Sequence, residues 1–296
     1  MNKILVILNP AARGERARGL REKISALSSR IVVRETRRAG DAEALAERAV
    51  QQGYHTVVAA GGDGTVNEVV NGIGEADVTF GVLPVGTMNV FALELGIDGK
   101  DLGRAWEVIE RGEVREIDLP MANEEYFVQL AGVGLDAEVV RQTTPDFKKA
   151  LGPMSYVLSL AQVAAQKPPK LVVSDARGKR HHGSFVLVGN GRYYGGPLVL
   201  FRDAELDDGL LDVVVFKNQS HWDLMRYVQA VLFRNHHELP DVEYFQTERV
   251  HVTADGEVPV EIDGEISGFA PFTFGFAEKK LRVLAPPRVD KGKRRS

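Results

Sequence analysis

Gly61-Gly62-Asp63-Gly64-Thr65-Val66-Asn67-Glu68 combines the residue types in this chain best suited to chemistry on a phosphate. Glycines let a main chain approach a ligand closely, and the N–H groups opening a helix favour negative charge. The β-branched run at 54–58 reads as a buried strand, and Thr65–Val70 has helical spacing. Strand, tight glycine turn and helix N-terminus together make a cradle for a nucleotide phosphate. Asp63 adds a carboxylate inside it, which makes sense where a divalent cation or a hydrogen-bond network separates acid from phosphate. The same residues also have ordinary uses, because glycines form turns and hydroxyl or amide side chains such as Thr65 and Asn67 favour helix starts. Glu68 can cap a helix or pair locally. Two acidic places lie far downstream. Glu205, Asp207 and Asp208 crowd a turn before a strand at Leu210, by default a solvated hairpin. Glu265 follows Asp263-Gly264, by default a hairpin-turn neighbour.

These groups need a frame. From Lys3 to about Pro120 strands and helices alternate. Strands are expected at Lys3–Leu8, Ile31–Val33, Tyr54–Val58 and Thr79–Leu83, and helices at Arg16–Leu27, Ala42–Gln52, Met88–Leu95 and Leu102–Arg111. Asp41 is expected to cap the second helix. The alternation predicts an α/β fold, Rossmann-like, with a mostly parallel sheet covered by helices on both sides. In such sheets ligands bind beyond the carboxyl ends of the strands. Asn9-Pro10, Gly61-Gly62-Asp63 and Pro84-Val85-Gly86-Thr87 all fall at those ends, so three loops converge on one crevice.

After Asp118 the pattern changes to short strands joined by turns, at Phe127–Gly132, Leu171–Ser174, Ser184–Gly189, Leu210–Phe216, Arg249–Ala254, Val258–Asp263 and Pro271–Phe276. Helical patterns interrupt them at Met154–Gln166 and His221–Phe233. This half predicts an antiparallel β-sandwich with added helices. The domains are expected at 1–120 and 121–285, followed by a basic, disordered tail at 286–296. Met154, Val157, Leu158 and Ala161, and Trp222, Met225, Val228 and Leu232, form stripes that usually face a core, or here an acyl chain or a bilayer. His181-His182 and His236-His237 lack metal spacing and read as surface loops.

Composition narrows the classes. The chain is 44% hydrophobic and 26% charged, as soluble globular proteins are, and its net charge of −4 argues against a global nucleic-acid surface. With no cysteine it has neither disulfides nor thiolate metal sites, which fits a cytoplasmic location. The opening apolar run is too short for a signal peptide, and no uncharged stretch is long enough to cross a bilayer. Any membrane contact would be transient and at the surface.

The stretch GGDGTVNEVVNG at 61–72 resembles the nucleotide-binding signature of the diacylglycerol kinase catalytic family, most of all its bacterial lipid-kinase branch. Further motifs follow in order: Asn9-Pro10-Ala11-Ala12-Arg13-Gly14, Thr36 with Gly40-Asp41-Ala42, Leu83–Asn89, Ile117-Asp118-Leu119, Ala204–Leu211, and Glu261-Ile262-Asp263-Gly264-Glu265. The resemblance implies transfer of the γ-phosphoryl group of ATP to a lipid hydroxyl with Mg²⁺, in a cleft between a nucleotide domain and a β-sandwich. It implies ATP contacts from Asn9, Pro10, Ala11, Ala12, Arg13, Thr36, Gly61, Gly62, Asp63, Gly64, Thr65, Val66, Asn67, Glu68 and Thr87. It makes Glu265 the general base and Asp63 the organiser of phosphate and metal. A structural Mg²⁺ would take the Asp208 side chain with the carbonyls of Glu205 and Leu210. The sequence departs from the family at Val90, where an aspartate usually follows Gly-Thr-x-Asn. Asp63 and Asp118 then remain as carboxylates for the catalytic metal. Two rivals stay open: an NAD kinase-like enzyme on a related scaffold, and a nucleotide or lipid binder without turnover. The residues name neither the acceptor lipid nor an oligomeric state.

Overall fold

The computed structural model describes residues 3–12, 19–97, 99, 101–142, 162–163 and 165–287. Compactness divides it into two units, Met1–Ile117 with Leu281–Ser296 and Asp118–Lys280.

The first unit alternates β1 (Ile4–Leu8), α1 (Leu20–Leu27), β2 (Ile31–Glu35), α2 (Asp41–Gln51), β3 (Thr56–Gly61), α3 (Asp63–Ile73) and β4 (Thr79–Pro84). Then come α4 (Val90–Glu94), α5 (Leu102–Arg111) and β5 (Val114–Ile117). Every residue of β1 and β4 is buried, and all of β3 after Thr56. Runs like ILVIL and TVVAAG are what strands covered on both faces require. The sheet order is β2-β1-β3-β4-β20-β5, where β20 is Leu281–Leu284. β1 to β4 are mutually parallel, β20 is parallel to β4, and β5 alone runs antiparallel. The expected boundary gave residues 281–285 to the sandwich. The chain instead returns to place β20 between β4 and β5, because a short apolar strand carries no local mark of its partner.

Helix ends follow chain chemistry. Asp101 caps α5 by accepting from Gly103 N–H at 2.8 Å and Arg104 N–H at 3.3 Å, and Gly112 closes it in the left-handed conformation. Asp41 does not cap α2. Gly40 is the cap residue, and the Asp41 carboxylate turns back to accept from the N–H groups of Arg37 and Arg38.

The second unit stacks two antiparallel six-stranded sheets. One, in the order β10-β9-β16-β19-β6-β7, takes β6 (Pro120–Ala122), β7 (Glu125–Tyr126), β9 (Leu171–Asp175), β10 (Arg180–Gly183), β16 (Val250–Ala254) and β19 (Phe272–Phe276). The other, in the order β15-β14-β11-β8-β17-β18, takes β8 (Leu130–Val133), β11 (Phe185–Gly189), β14 (Leu211–Phe216), β15 (Val242–Thr247), β17 (Pro259–Ile262) and β18 (Glu265–Phe269). A small ribbon pairs β12 (Tyr193–Tyr194) with β13 (Leu198–Val199). Between the large sheets lie Phe127, Val133, Val173, Val188, Val213, Val252, Val260 and Phe274. A second core on the far face joins Val214 and Phe216 to α6 (Leu135–Gln142) and α7 (His221–Leu232). β14 therefore meets a core on each face, which explains why all six of its residues are buried.

Two expectations are corrected here, and a third, left open between core and outer surface, is narrowed. His181 is 3% exposed, stacked on the Phe245 ring at 4.0 Å, with its Nδ1 2.5 Å from a Glu243 carboxylate oxygen. His236 is also buried, and its Nε2 bonds the Leu200 carbonyl at 2.8 Å. The Trp222, Met225, Val228 and Leu232 stripe faces outward, with Trp222 79% exposed, while α7 buries Leu224, Tyr227 and Ala230. Most of the Met154–Gln166 pattern and nearly all of the basic tail lie outside the described residues.

α3 and α2 pack through Gly72, where an added Cβ would fall 2.3 Å from the Glu43 carbonyl oxygen. Glycine to alanine inside a helix ordinarily stabilises by about 1 kcal/mol. Here Gly72→Ala is expected to reverse that sign and cost about 1–3 kcal/mol by overpacking. A urea midpoint at or above that of the unsubstituted protein would contradict the close helix contact.

Candidate active site

In the first unit the strand order reverses between β1 and β3, the switch point at which ligands bind in open α/β sheets. The loops leaving β1, β3 and β4 are sewn together there. Asn9, just after β1, donates from Nδ2 to Thr65 Oγ1 at 3.0 Å. Its Oδ1 accepts from Ala11 N–H at 3.0 Å and shapes the turn through Pro10, Ala11 and Ala12. Arg13 lies outside the described residues.

The glycines have separate jobs. A Cβ on Gly61 would meet the Thr65 side chain at 2.4 Å, so Gly61 lets Thr65 fold back over the end of β3. A Cβ on Gly86 would fall 2.4 Å from Gly62 Cα, so the β3 and β4 loops touch main chain to main chain. Gly64 faces open space. Gly62 caps α3 in extended conformation with no side-chain hydrogen bond, so the cap residue itself supplies no acceptor to the first turn. Such an end suits an anion.

Asp63, the first residue of α3, accepts from Phe91 N–H at 3.2 Å and so ties the β3 loop to the start of α4. Burial pushes its carboxyl group above the usual range, and the N–H groups at the start of α4 oppose that shift. Asn89, in the left-handed conformation, closes the β4 loop by accepting from Gly86 N–H at 2.9 Å and donating to the Gly86 carbonyl at 3.0 Å. Thr87 and Met88 project from that loop, exposed. Val90 is 2% exposed and faces the core. Thr36 is buried after β2, and its N–H donates to the Leu8 carbonyl. Val66 points into the core, so any nucleotide contact it makes is through its main chain. Asn67 is bonded by Asn71 Nδ2 through its carbonyl at 3.1 Å. Glu68 reaches the neighbouring helix, where its carboxylate accepts from Ala42 N–H at 3.0 Å and caps α2 from outside.

In the second unit Asp263 and Gly264 both have positive φ, a primed two-residue turn joining β17 to β18. The Asp263 carboxylate accepts from three N–H groups, Val128 at 2.8 Å, Gln129 at 2.9 Å and Leu130 at 3.1 Å. Glu265 opens β18 opposite Ile262 and is exposed. Sequence reasoning passed over the groups beneath it. Glu261 on β17 accepts from Gly264 N–H at 2.8 Å, and Asp136 on α6 accepts from Tyr194 O–H at 2.6 Å.

Asp118 is 6% exposed. It lies in the second unit, where it accepts from Gly209 N–H at 2.7 Å and pairs with Lys280 at 2.8 Å. The turn it braces holds Glu205 and Asp208, both exposed, and Asp208 accepts from Leu210 N–H at 3.0 Å. Burial, then the charges of Asp118, Glu205 and Asp207, raise the Asp208 carboxyl above its ordinary value. A cation would offset that excess charge. Among the described residues no three acidic or histidine side chains are grouped to hold a metal, so here it would rest on one carboxylate and main-chain oxygens. No helix among the described residues is long and apolar enough to cross a membrane.

Residues 3–122 match the diacylglycerol kinase catalytic domain family, and residues 129–285 match the YegS C-terminal NAD kinase beta sandwich-like domain. A diacylglycerol kinase of Bacillus subtilis (strain 168) is 32% identical over 84% of this chain and 83% of its own. One from Staphylococcus carnosus (strain TM300) is 31% identical over 86% and 84%. A crystal structure described as a diacylglycerol kinase of Bacillus anthracis str. Sterne superposes with a TM-score of 0.78 at 26% identity, covering 97% of this chain and 98% of that one.

Glu68→Ala removes the acceptor for Ala42 N–H. The expected cost is about 1 kcal/mol of unfolding free energy, the size of a lost helix cap. An unchanged denaturation midpoint would mean that α2 needs no cap from α3.

Proposed function

The chain belongs to the diacylglycerol kinase family, and on that premise we propose that it transfers the γ-phosphoryl group of ATP to the hydroxyl of a lipid, diacylglycerol or a similar one. The observation that carries this reading is the meeting of the β1, β3 and β4 loops at the sheet switch point, joined by the Asn9–Thr65 and Asp63–Phe91 hydrogen bonds.

In this reading the uncapped start of α3 and the open face of Gly64 take the phosphates, with Thr65, Asn9 and the exposed Thr87 as side-chain partners. Pro10, Ala11, Ala12, Thr36, Gly61, Gly62, Val66, Asn67 and Glu68 build the walls. Phosphoryl transfer asks a protein for position, charge neutralisation and a proton acceptor. The lipid hydroxyl oxygen forms the new bond to phosphorus as the bond to ADP breaks, and its proton passes to Glu265. Mg²⁺, where Asp63 helps order it with the phosphates, would supply charge neutralisation at the transferring group. A structural Mg²⁺ would rest on Asp208 with the carbonyls of Glu205 and Leu210. The protein would work in the cytoplasm and visit the inner membrane surface for its lipid. A second reading, phosphorylation of NAD, draws on the beta-sandwich description matched by residues 129–285.

Incubation with ³²P-labelled ATP and diacylglycerol, phosphatidylglycerol, sphingoid bases, ceramide or NAD separates these readings. Labelled lipid is expected, whereas product on NAD alone would refute the proposal. Glu265→Gln is expected to lower transfer by at least about a hundredfold, the size of a lost general base, while ATP binding persists. Turnover near that of the unsubstituted enzyme would remove Glu265 from the mechanism.

A further inference from the structure

Below the Glu265 turn lies a pair of carboxyl groups that the reaction does not use. Glu261, on β17, is 1% exposed, and Asp136 approaches it from α6. Both crowd Gly132 of β8. A Cβ built there would lie 2.8 Å from Glu261 Oε1 and 3.1 Å from Asp136 Oδ2. The outer oxygens are satisfied, Glu261 Oε2 by Gly264 N–H at 2.8 Å and Asp136 Oδ1 by Tyr194 O–H at 2.6 Å. Among the described residues the inner Glu261 Oε1 accepts from nothing. A buried acceptor left unmade costs about 1–3 kcal/mol, and two adjacent buried anions cost more. One proton removes both penalties if Glu261 Oε1 carries it and donates to Asp136. The directions agree: burial and then the Asp136 charge push Glu261 well above the ordinary carboxylate range, while burial raises Asp136 and hydrogen bonds from Tyr194 and Glu261 hold it back.

We propose that Asp136 and Glu261 are positioning residues that share one proton, and that the resulting hydrogen bond fastens α6 to the β17–β18 turn carrying Glu265. Glu265's own part rests on the kinase reading; the fastening does not. Glu261 grips the Gly264 N–H, one residue before Glu265, while Asp263 anchors the other turn residue to Val128, Gln129 and Leu130. Both turn residues are thereby held, and β18 starts in a fixed place.

Among the described residues the other titratable groups on the elements around the pair are few. They are Tyr194 on β12, Tyr193 beside it, Asp263 in the turn, Glu265 on β18, and Glu138 on α6, which is paired with Arg141 at 2.6 Å. Among the described residues no cation pairs with either member, so only the proton separates the charges. Glu261 has its folded pKa raised above the unfolded value. The fastening is therefore intact at low pH and is lost as pH rises through the folded value.

Hydrogen exchange at the Gly264 and Glu265 amides, corrected for intrinsic rate, tests this on the full chain without turnover. Glu261→Gln keeps a donor and an acceptor in place of the protonated acid, and is expected to hold protection within about threefold of the unsubstituted protein. Glu261→Leu and Asp136→Ala are expected to lose at least about tenfold, the second removing the partner without touching β17. From pH 6 to 10 protection should fall in the unsubstituted protein and stay level in Glu261→Gln. Loss in Glu261→Gln equal to that in Glu261→Leu, or a level profile in the unsubstituted protein, overturns the proposal. In the lipid assay Glu261→Gln should recover at least about tenfold of the kcat lost in Glu261→Leu, with the KM for ATP alike in both. Absence of transfer to every lipid would remove the kinase reading, and exchange would still decide the shared proton.

Discussion

The β3 and β4 loops touch main chain to main chain, and the loop surface of the first unit depends on that contact. Gly62 Cα lies 2.4 Å from where a Cβ on Gly86 would be, so no side chain fits there, and the Val85 and Gly86 N–H groups both donate to the Gly61 carbonyl across the joint. The Asp63–Phe91 hydrogen bond closes the same joint from the side-chain direction. The Asn9–Thr65 bond then adds the loop from β1. Three chain segments far apart in sequence thus become one surface, with the start of α3 at its centre. Preorganised N–H groups are worth more than mobile ones to a developing phosphate charge, because they need no reorganisation as charge moves.

The second unit solves a related problem with carboxylates. Asp263 takes three N–H groups and Glu261 takes the next one along, so a two-residue turn is fixed by acids placed beneath it. A turn at positive φ is strained for aspartate, and those bonds offset the strain. Glu265 stays exposed at the end of this brace.

Sequence made the alternation of the first unit legible because its inner strands are apolar throughout, whereas the one helix cap read from it, Asp41, lies inside the helix it was to cap. It made the candidate loops legible because glycine at Gly61, Gly62 and Gly86 answers a local steric demand. It was blind where a residue works at a distance. Glu68 caps a helix 26 residues upstream, Asp118 accepts from Gly209 N–H in the distant Asp208 turn, and β20 enters a sheet begun at residue 4. Nothing in a local window carries those partners. The histidine pairs failed for the opposite reason, since polar composition suggested a surface while ring stacking and a carboxylate partner allow His181 inside. The Asp136–Glu261 pair was invisible because each acid, read alone, looks solvated.

Val90 gains a physical meaning from the same geometry. The first turn of α4 already directs its N–H groups at Asp63, and the side chain at position 90 lies in the core at 2% exposure. An aspartate at 90 in this conformation would bury a second carboxylate beside one whose pKa is already raised by burial. Among the described residues no cation pairs with Asp63, so the added charge would have no counter-charge within the fold. Valine keeps the joint between the β3 and β4 loops apolar and leaves Asp63 alone to serve it. The N–H groups opening α3 are then the stronger electrostatic feature of that edge, and a helix N-terminus favours negative charge.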